Sequence, residues 1–264
     1  MSKSKIEWCD RTWNPISGCA KISEGCNNCY AERMHTRLEH IKGSGYDDGQ
    51  PHFSVRLHPE RLEEPLKWKK PQRVFVCSMG DLFHEDVPYE YLHKIFAMIA
   101  KAKMHKFLIL TKRPDRMLEY ILSSMYDENI SDDGWYAALS DIGIPDECPP
   151  ENVFYGVTVE NQQAADERIP ILLQIPAAKR FISIEPMVNF VDLSKYIGSQ
   201  SQRSISLCIT GGETGPKARP MDVEWARSVR DQCQAAGVPF FMKSMGAHSE
   251  IPSDLIIKEF PDAK

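Results

Sequence analysis

A chain of 264 residues with 42% hydrophobic residues and a formal net charge of −5 has the length and apolar content of an ordinary globular protein with a real core. It has no apolar run near the roughly 18 residues that a membrane helix needs. Met1 to Asp10 lack the charged-then-apolar pattern of a secretory leader, so the expected location is the cytoplasm. There the eight cysteines read as metal ligands and buried thiols, not as a disulfide frame.

In chain order, Thr12 to Ser17 reads as a short strand weakened by Pro15 and ended by Gly18. Cys19 to Glu32 then crowds three cysteines into one loop that runs into a helical pattern, with Asn27 or Asn28 as N-cap and Ala31, Met34, Leu38 and Ile41 at helical spacing. On that reading Cys29 lies in the first helical turn, where the macrodipole and free N–H groups favour the thiolate, the form that binds metal. Gly43 to Gly49 is a loop, and Leu57 to Lys70 is a basic, proline-punctuated segment with a short helix. Val74 to Gly80 is a buried strand. Pro88 opens a helix with Leu92, Ile95, Phe96, Ile99 and Ala100 on one face, Lys106 to Thr111 is a strand, and a helix starts at Pro114.

An acidic stretch near 126–151, rich in Gly, Pro and Ser, reads as a surface insertion that could serve as a lid. Beyond it the strand-then-helix unit returns. Strands are expected at Val153–Thr158, Arg180–Glu185, Ile205–Thr210 and Val238–Lys243, with one helix from Gln162 and another capped by Asp222 and ended by Gly237.

Continuous apolar strands alternating with amphipathic helices predict a parallel sheet covered by helices. Six strong strands and a weak first one suit a partial (β/α) barrel of about six to seven parallel strands, formed by a single domain over 1–264. A doubly wound sheet is the alternative. Function in a parallel barrel sits at the C-terminal strand ends. Here these read Ser78-Met-Gly80-Asp81, Thr111-Lys112-Arg113, Thr158-Val-Glu160-Asn161, Ser183-Ile-Glu185-Pro186, Thr210-Gly-Gly212-Glu213 and Lys243-Ser244. Glycines beside carboxylates on successive strands point to a pocket for a polar ligand. Cys77 and Cys208 lie inside apolar runs and read as core thiols.

The three loop cysteines admit two readings. A structural zinc site wants four ligands, and Cys9, or His35 from the helix, could supply the fourth. An iron-sulfur cluster held by three thiolates leaves one iron open for another ligand.

The stretches Trp13-Asn-Pro, Cys26-x-x-Cys-Tyr-Ala-Glu, Ser78-Met-Gly-Asp-Leu-Phe, Leu110-Thr-Lys-Arg-Pro and Ile209-Thr-Gly-Gly-Glu run nearly end to end. In them the chain resembles the radical S-adenosylmethionine (SAM) enzymes, and more narrowly a phage-associated family with a C-x6-C-x2-C-Tyr-Ala motif. Most of the superfamily space the cysteines C-x3-C-x2-C with an aromatic residue before the last; here Asn28 precedes Cys29 and Tyr30 follows it. The resemblance implies a [4Fe-4S] cluster on Cys19, Cys26 and Cys29 whose open iron takes the amino and carboxylate groups of SAM. It further implies reductive cleavage of SAM in a dry site, with electrons from a donor such as flavodoxin or ferredoxin.

Carried over by position, Gly80 and Asp81 would receive the SAM amino group, Thr158 or Glu160 the ribose, and Gly211 and Gly212 the adenine, with Tyr30 a further cofactor contact. Lys112 and Lys243 would be the first cations to meet an anionic substrate. Glu185 beside them is a catalytic candidate, equally placed to pair with Lys243 or Arg113. Lys101 to Arg116 holds six basic residues and one acidic, whereas Met117 to Glu167 holds twelve acidic residues and no Lys or Arg. The basic side is a candidate rim for phosphate, nucleotide or nucleic-acid backbone. The expected function is therefore a radical SAM enzyme acting on a nucleotide or nucleic acid base. The alternative is a zinc- or cluster-stabilised binding protein without radical chemistry. A barrel metallohydrolase ranks last, because the strand ends offer no His-x-His.

Overall fold

The computed structural model describes residues 6–126, 150–177, 179–198, 204–246 and 249–261. The acidic insertion expected near 126–151 lies outside them, apart from its ends. The strands are β1 (Arg11–Trp13), β2 (Ile16–Ser17), β3 (Arg56–Leu57), β4 (Arg73–Val76), β5 (Lys106–Thr111), β6 (Val153–Thr158), β7 (Lys179–Ile184), β8 (Leu207–Gly211) and β9 (Phe240–Ser244). The helices are α1 (Tyr30–Leu38), α2 (Tyr89–Lys101), α3 (Pro114–Tyr126), α4 (Gln162–Leu172) and α5 (Val223–Ala236).

Seven parallel strands form one sheet in the order β1-β4-β5-β6-β7-β8-β9. The order follows the chain and never reverses, as in a barrel-type winding; a doubly wound sheet would reverse at a switch point. Every residue of β6 and β8 is buried, the mark of strands covered on both faces.

Pro15 divides the expected first strand in two. β1 pairs with β4, Arg11 opposite Val74, while β2 turns away to pair antiparallel with β3 in a separate two-stranded sheet. Proline has no N–H to give a ladder, but the Pro15 carbonyl accepts from His58 N at 2.8 Å and from the Tyr91 hydroxyl at 3.1 Å.

Other boundaries moved for local reasons. β4 stops at Val76 because Cys77 takes a left-handed backbone, φ 62°. The short helix expected in 57–70 is two 3₁₀ turns, Pro59–Arg61 and Pro65–Lys67, each opened by a proline. α1 begins at Tyr30, one residue after Cys29, and buries only Ala31 and His35, with Ile41 outside it and exposed. The caps of the later helices follow the sequence. Asn161 Oδ1 accepts from Ala164 N at 2.9 Å, Asp222 Oδ1 from Glu224 N at 2.9 Å, and Gly237 ends α5 in the left-handed region, φ 66°.

The chain packs as two compact units, residues 1–20 with 31–154 and residues 21–30 with 155–264. The core of the first is built on Trp13, Val74, Val76, Leu92, Phe96, Phe107 and Ile109, and that of the second on Phe181, Ile182, Leu207, Val229, Phe240 and Met242.

His58 gives the first unit a titratable support. It is buried, with Nε2 2.7 Å from Ser17 Oγ, and burial, aided by Arg61 and opposed by Glu60, lowers its pKa to about 4. The unfolded chain therefore takes up the proton first, so this stability is complete above about pH 6.5 and is lost as pH falls toward about 4. Urea melts across that window are expected to lose stability more steeply in the parent than in His58→Gln, by up to ~1.4 kcal/mol per pH unit. Equal slopes would show that His58 does not carry the effect.

Candidate functional site

The footing of the cysteine loop is a crossing of backbones. Gly18 and Gly80 form a parallel β-bridge, Gly18 N donates to Met79 O at 2.9 Å, and Cys19 N donates to Phe53 O at 3.0 Å. Gly18 has φ 85°, and a Cβ there would lie 1.9 Å from Ser54 O. A Cβ on Gly80 would lie 2.7 Å from Gly18 O. Only glycine fits at either place. Asn14 Oδ1 completes the footing by accepting from Met79 N at 3.1 Å and Ser78 Oγ at 3.2 Å. Trp13-Asn-Pro and Ser78-Met-Gly-Asp are thus one structural unit.

Beside Cys19 stands an arginine. Arg113 Nη1 lies 3.5 Å from Cys19 Sγ and 3.3 Å from Asp81 Oδ2, and Arg113 Nε donates to Glu85 Oε2 at 2.8 Å. Burial alone would lower its pKa, but Asp81, Cys19 and Glu85 outweigh burial and hold the guanidinium above its ordinary value. Asp81 is the hub. Its Oδ1 accepts from Thr111 Oγ1 at 2.7 Å and Phe83 N at 3.0 Å, and its Oδ2 accepts from Lys112 N at 3.1 Å as well as from Arg113.

In the second unit, Asn28 does not cap α1. Its amide donates to Glu213 Oε2 at 2.7 Å and to Lys217 O at 2.9 Å. Arg219 Nη2 lies 2.6 Å from Glu213 Oε1 and 3.0 Å from Glu24 O. Burial pushes the Glu213 pKa up, but the bonds from Arg219 and Asn28 prevail and hold it below the usual carboxylate range. Segment 21–30 is in this way fastened to the end of β8.

The other strand-end residues are also engaged. Buried Glu160 accepts from Arg168 at 2.7 Å, and the same guanidinium donates to Thr158 O at 2.8 Å. Glu185 pairs with Lys243. A Cβ on Gly211 would touch Glu185 at 3.4 Å, and one on Gly212 would meet Met245 O at 2.3 Å, so the backbone of 245–246 fills the space beside Gly212. Tyr30 is exposed and Lys112 half-buried. The basic run 101–116 is divided by β5, with Lys101, Lys103 and Lys106 at its start and Lys112, Arg113 and Arg116 past its end. Of these last, Arg116 donates to the carbonyls of His84 and Val87.

Burial sorts the thiols. Among the seven described cysteines, Cys9, Cys77, Cys208 and Cys233 are buried, and Cys19, Cys26 and Cys29 are partly exposed. Cys9 Sγ lies 3.6 Å from Ile6 O, and Cys26 Sγ lies 3.7 Å from Ser23 Oγ. Among the described residues, the group of donors drawn within 4.8 Å of one another, as a single metal ion requires, is His35, Glu39 and His52. The cysteine loop supplies no such group.

The family model whose description is "Protein of unknown function (DUF5131)" matches residues 3–259. The chain belongs to that family. No curated protein matches this DUF5131 member. Among solved structures it is similar to a cysteine-to-serine variant of spore photoproduct lyase, with TM-score 0.50, 10% identity, and coverage of 92% of this chain and 78% of that one. A tyrosine-to-phenylalanine variant of the same lyase matches at TM-score 0.49 and 9% identity over the same shares. The first likeness shows the fold, the partial (β/α) barrel that the strand pattern predicts.

Asn14, Asn28 and Arg219 were not singled out for these roles by sequence reasoning. Asn14 had a signal, its place in Trp13-Asn-Pro; the other two meet their partners only through the fold. Gly80→Ala tests the footing. It is expected to destabilise the chain by about 1–3 kcal/mol in urea denaturation, the usual cost of forcing atoms into a packed site. Unchanged stability would mean that the crossing yields without cost.

Proposed function

We propose that this chain is a radical SAM enzyme in which Cys19, Cys26 and Cys29 hold a [4Fe-4S] cluster, SAM completes its coordination, and a nucleotide or nucleic acid base is the substrate. The carrying observation is the sorting of the thiols: the cysteines of the loop are partly exposed, while the other described ones are buried. The likeness to spore photoproduct lyase supports the reading at the level of fold. A single zinc ion on the loop has less support, because its two candidate fourth ligands are placed elsewhere, Cys9 buried with Sγ 3.6 Å from Ile6 O and His35 beside Glu39 and His52. When bound, cluster and SAM would supply the one-electron chemistry that no side chain offers.

The chain's own residues have definable tasks in this reading. Arg113, held by Asp81 and Glu85, sets a cation against Cys19 Sγ and favours the thiolate that a cluster requires. Cys29 stands immediately before α1. Gly80 and Asp81 are the proposed contacts for the SAM amino group, which would share the Asp81 carboxylate with Thr111 and Arg113. Lys112 and Lys243 are the proposed contacts for an anionic substrate, with Glu185 holding Lys243 until the substrate's charge competes for it. A flavodoxin or ferredoxin as electron donor and a cytoplasmic location belong to the same proposal.

Anaerobic reconstitution tests it. About four irons per chain with acid-labile sulfide are expected, lost in Cys26→Ala and Cys29→Ala but kept in Cys9→Ala. Loaded, reduced protein should release methionine and 5′-deoxyadenosine from SAM. Stoichiometric zinc without sulfide would overturn the reading. The role of Arg113 has its own readout. Hydrogen bonds to cluster sulfurs raise the reduction potential, so Arg113→Met is expected to move the midpoint to more negative values in a redox titration followed by electron paramagnetic resonance. An unmoved midpoint would leave Arg113 a purely structural residue.

A further inference from the structure

His35, Glu39 and His52 meet in the first unit from two separate stretches of chain. His35 and Glu39 are four apart, on α1 and the turn that extends it, where Glu39 N donates to His35 O at 2.9 Å. His52 comes from the loop that follows. Glu39 Oε2 lies 2.8 Å from His52 Nδ1 and 3.6 Å from His35 Nε2, and one donor atom from each residue falls within 4.8 Å of the other two. Two imidazoles and a carboxylate are the donor set of a zinc-class ion, whose fourth position water can fill.

The surroundings suit an ion. The His35 side chain is fully buried, with the rings of Tyr46, His52 and Phe53 at 5.3, 5.1 and 5.5 Å around it. Burial, helped by Arg56 and His52 and opposed by Glu39 and Asp48, lowers its pKa. Its Nε2 accepts a long hydrogen bond from Phe53 N, 3.3 Å, and faces Glu39 Oε2 at 3.6 Å, so an ion between His35 and Glu39 would take the place of a weak contact. The nearby cation, Arg56, is committed to Asp48 at 2.9 and 3.0 Å and does not oppose the ion as a bare charge.

We propose that His35, Glu39 and His52 bind a divalent ion of the zinc class, which clamps the 43–54 loop onto α1. The clamp has a consequence for the neighbouring cysteines. His52 is followed by Phe53, whose carbonyl receives Cys19 N–H at 3.0 Å, and by Ser54, whose carbonyl closes on Gly18. An ion on His52 thus fixes the stretch against which the cysteine loop begins. The proposal does not rest on the radical SAM reading, since none of the three ligands is a cysteine.

Cobalt(II) is the probe, added to chelator-stripped full-length chain carrying Cys19→Ala, Cys26→Ala and Cys29→Ala to remove competing thiolates. The expected result is a single bound cobalt with ligand-field bands and no sulfur-to-cobalt charge transfer. Adding His52→Ala, at a half-exposed position, or Glu39→Gln should weaken binding at least about tenfold while circular dichroism stays unchanged. No cobalt binding, or equal affinity with His52→Ala, would overturn the site. Should the triple variant fail to fold, the parent and His52→Ala are compared directly. Loss of the nitrogen-oxygen bands in His52→Ala alone supports the site, and a spectrum dominated by sulfur charge transfer that His52→Ala leaves unchanged overturns it. Iron reconstitution remains a separate measurement, so failure here and failure of the cluster proposal are distinguishable.

Discussion

Two backbones pass at Gly18 and Gly80 with no room for a methyl group between them, and the start of the cysteine loop at Cys19 is set by that passage. The first residue past the crossing is Cys19, so its direction is set by main chain and not by an adjustable side chain. Ser54 closes from one side, the end of β4 from the other, and Asn14 ties the two motifs together. Such a joint is stiff because its stiffness comes from excluded volume, which does not weaken with salt or pH.

The electrostatics of the strand ends are of a different kind. Asp81, Glu160, Glu185 and Glu213 each face an arginine or lysine. Buried pairs such as Glu160 with Arg168 add little net stability, but removing one partner leaves an uncompensated charge at a cost of about 3–5 kcal/mol. The strand ends are therefore held in a fixed geometry by charges that are already neutralised. Any polar ligand must compete with a protein partner for each of them, and it does so most easily at the Glu185–Lys243 pair, where both side chains retain some contact with solvent.

Much of this was legible in the sequence, for a physical reason. Apolar runs separated by helical patterns dictate a parallel sheet, and Asn161, Asp222 and Gly237 mark helix ends through interactions confined to a few residues. Pro15 was read as a weakness and proved to be a division point, again a local effect of a missing N–H. The rest was hidden by distance along the chain. Arg113 finds Cys19 across 94 positions and Asn28 finds Glu213 across 185, and no spacing rule reaches so far. By its place two turns into the helix His35 could complete the cysteines' ligand set; the fold turns it instead toward Glu39 and His52. The basic run 101–116 looked like one rim, but a strand runs through it and separates its lysines end from end.

Residues 21–30 pack with the C-terminal half and not with their neighbours in sequence. During synthesis, Gly18 can settle against Ser54 and Gly80 as soon as those residues have emerged. Asn28 and Glu24 must wait for Glu213 and Arg219. The cysteine loop is therefore half built early and finished late, and a nascent chain holds Cys19 in position while Cys26 and Cys29 still lack their anchors. Ordering of residues 24–28 thus reports that synthesis has passed Arg219.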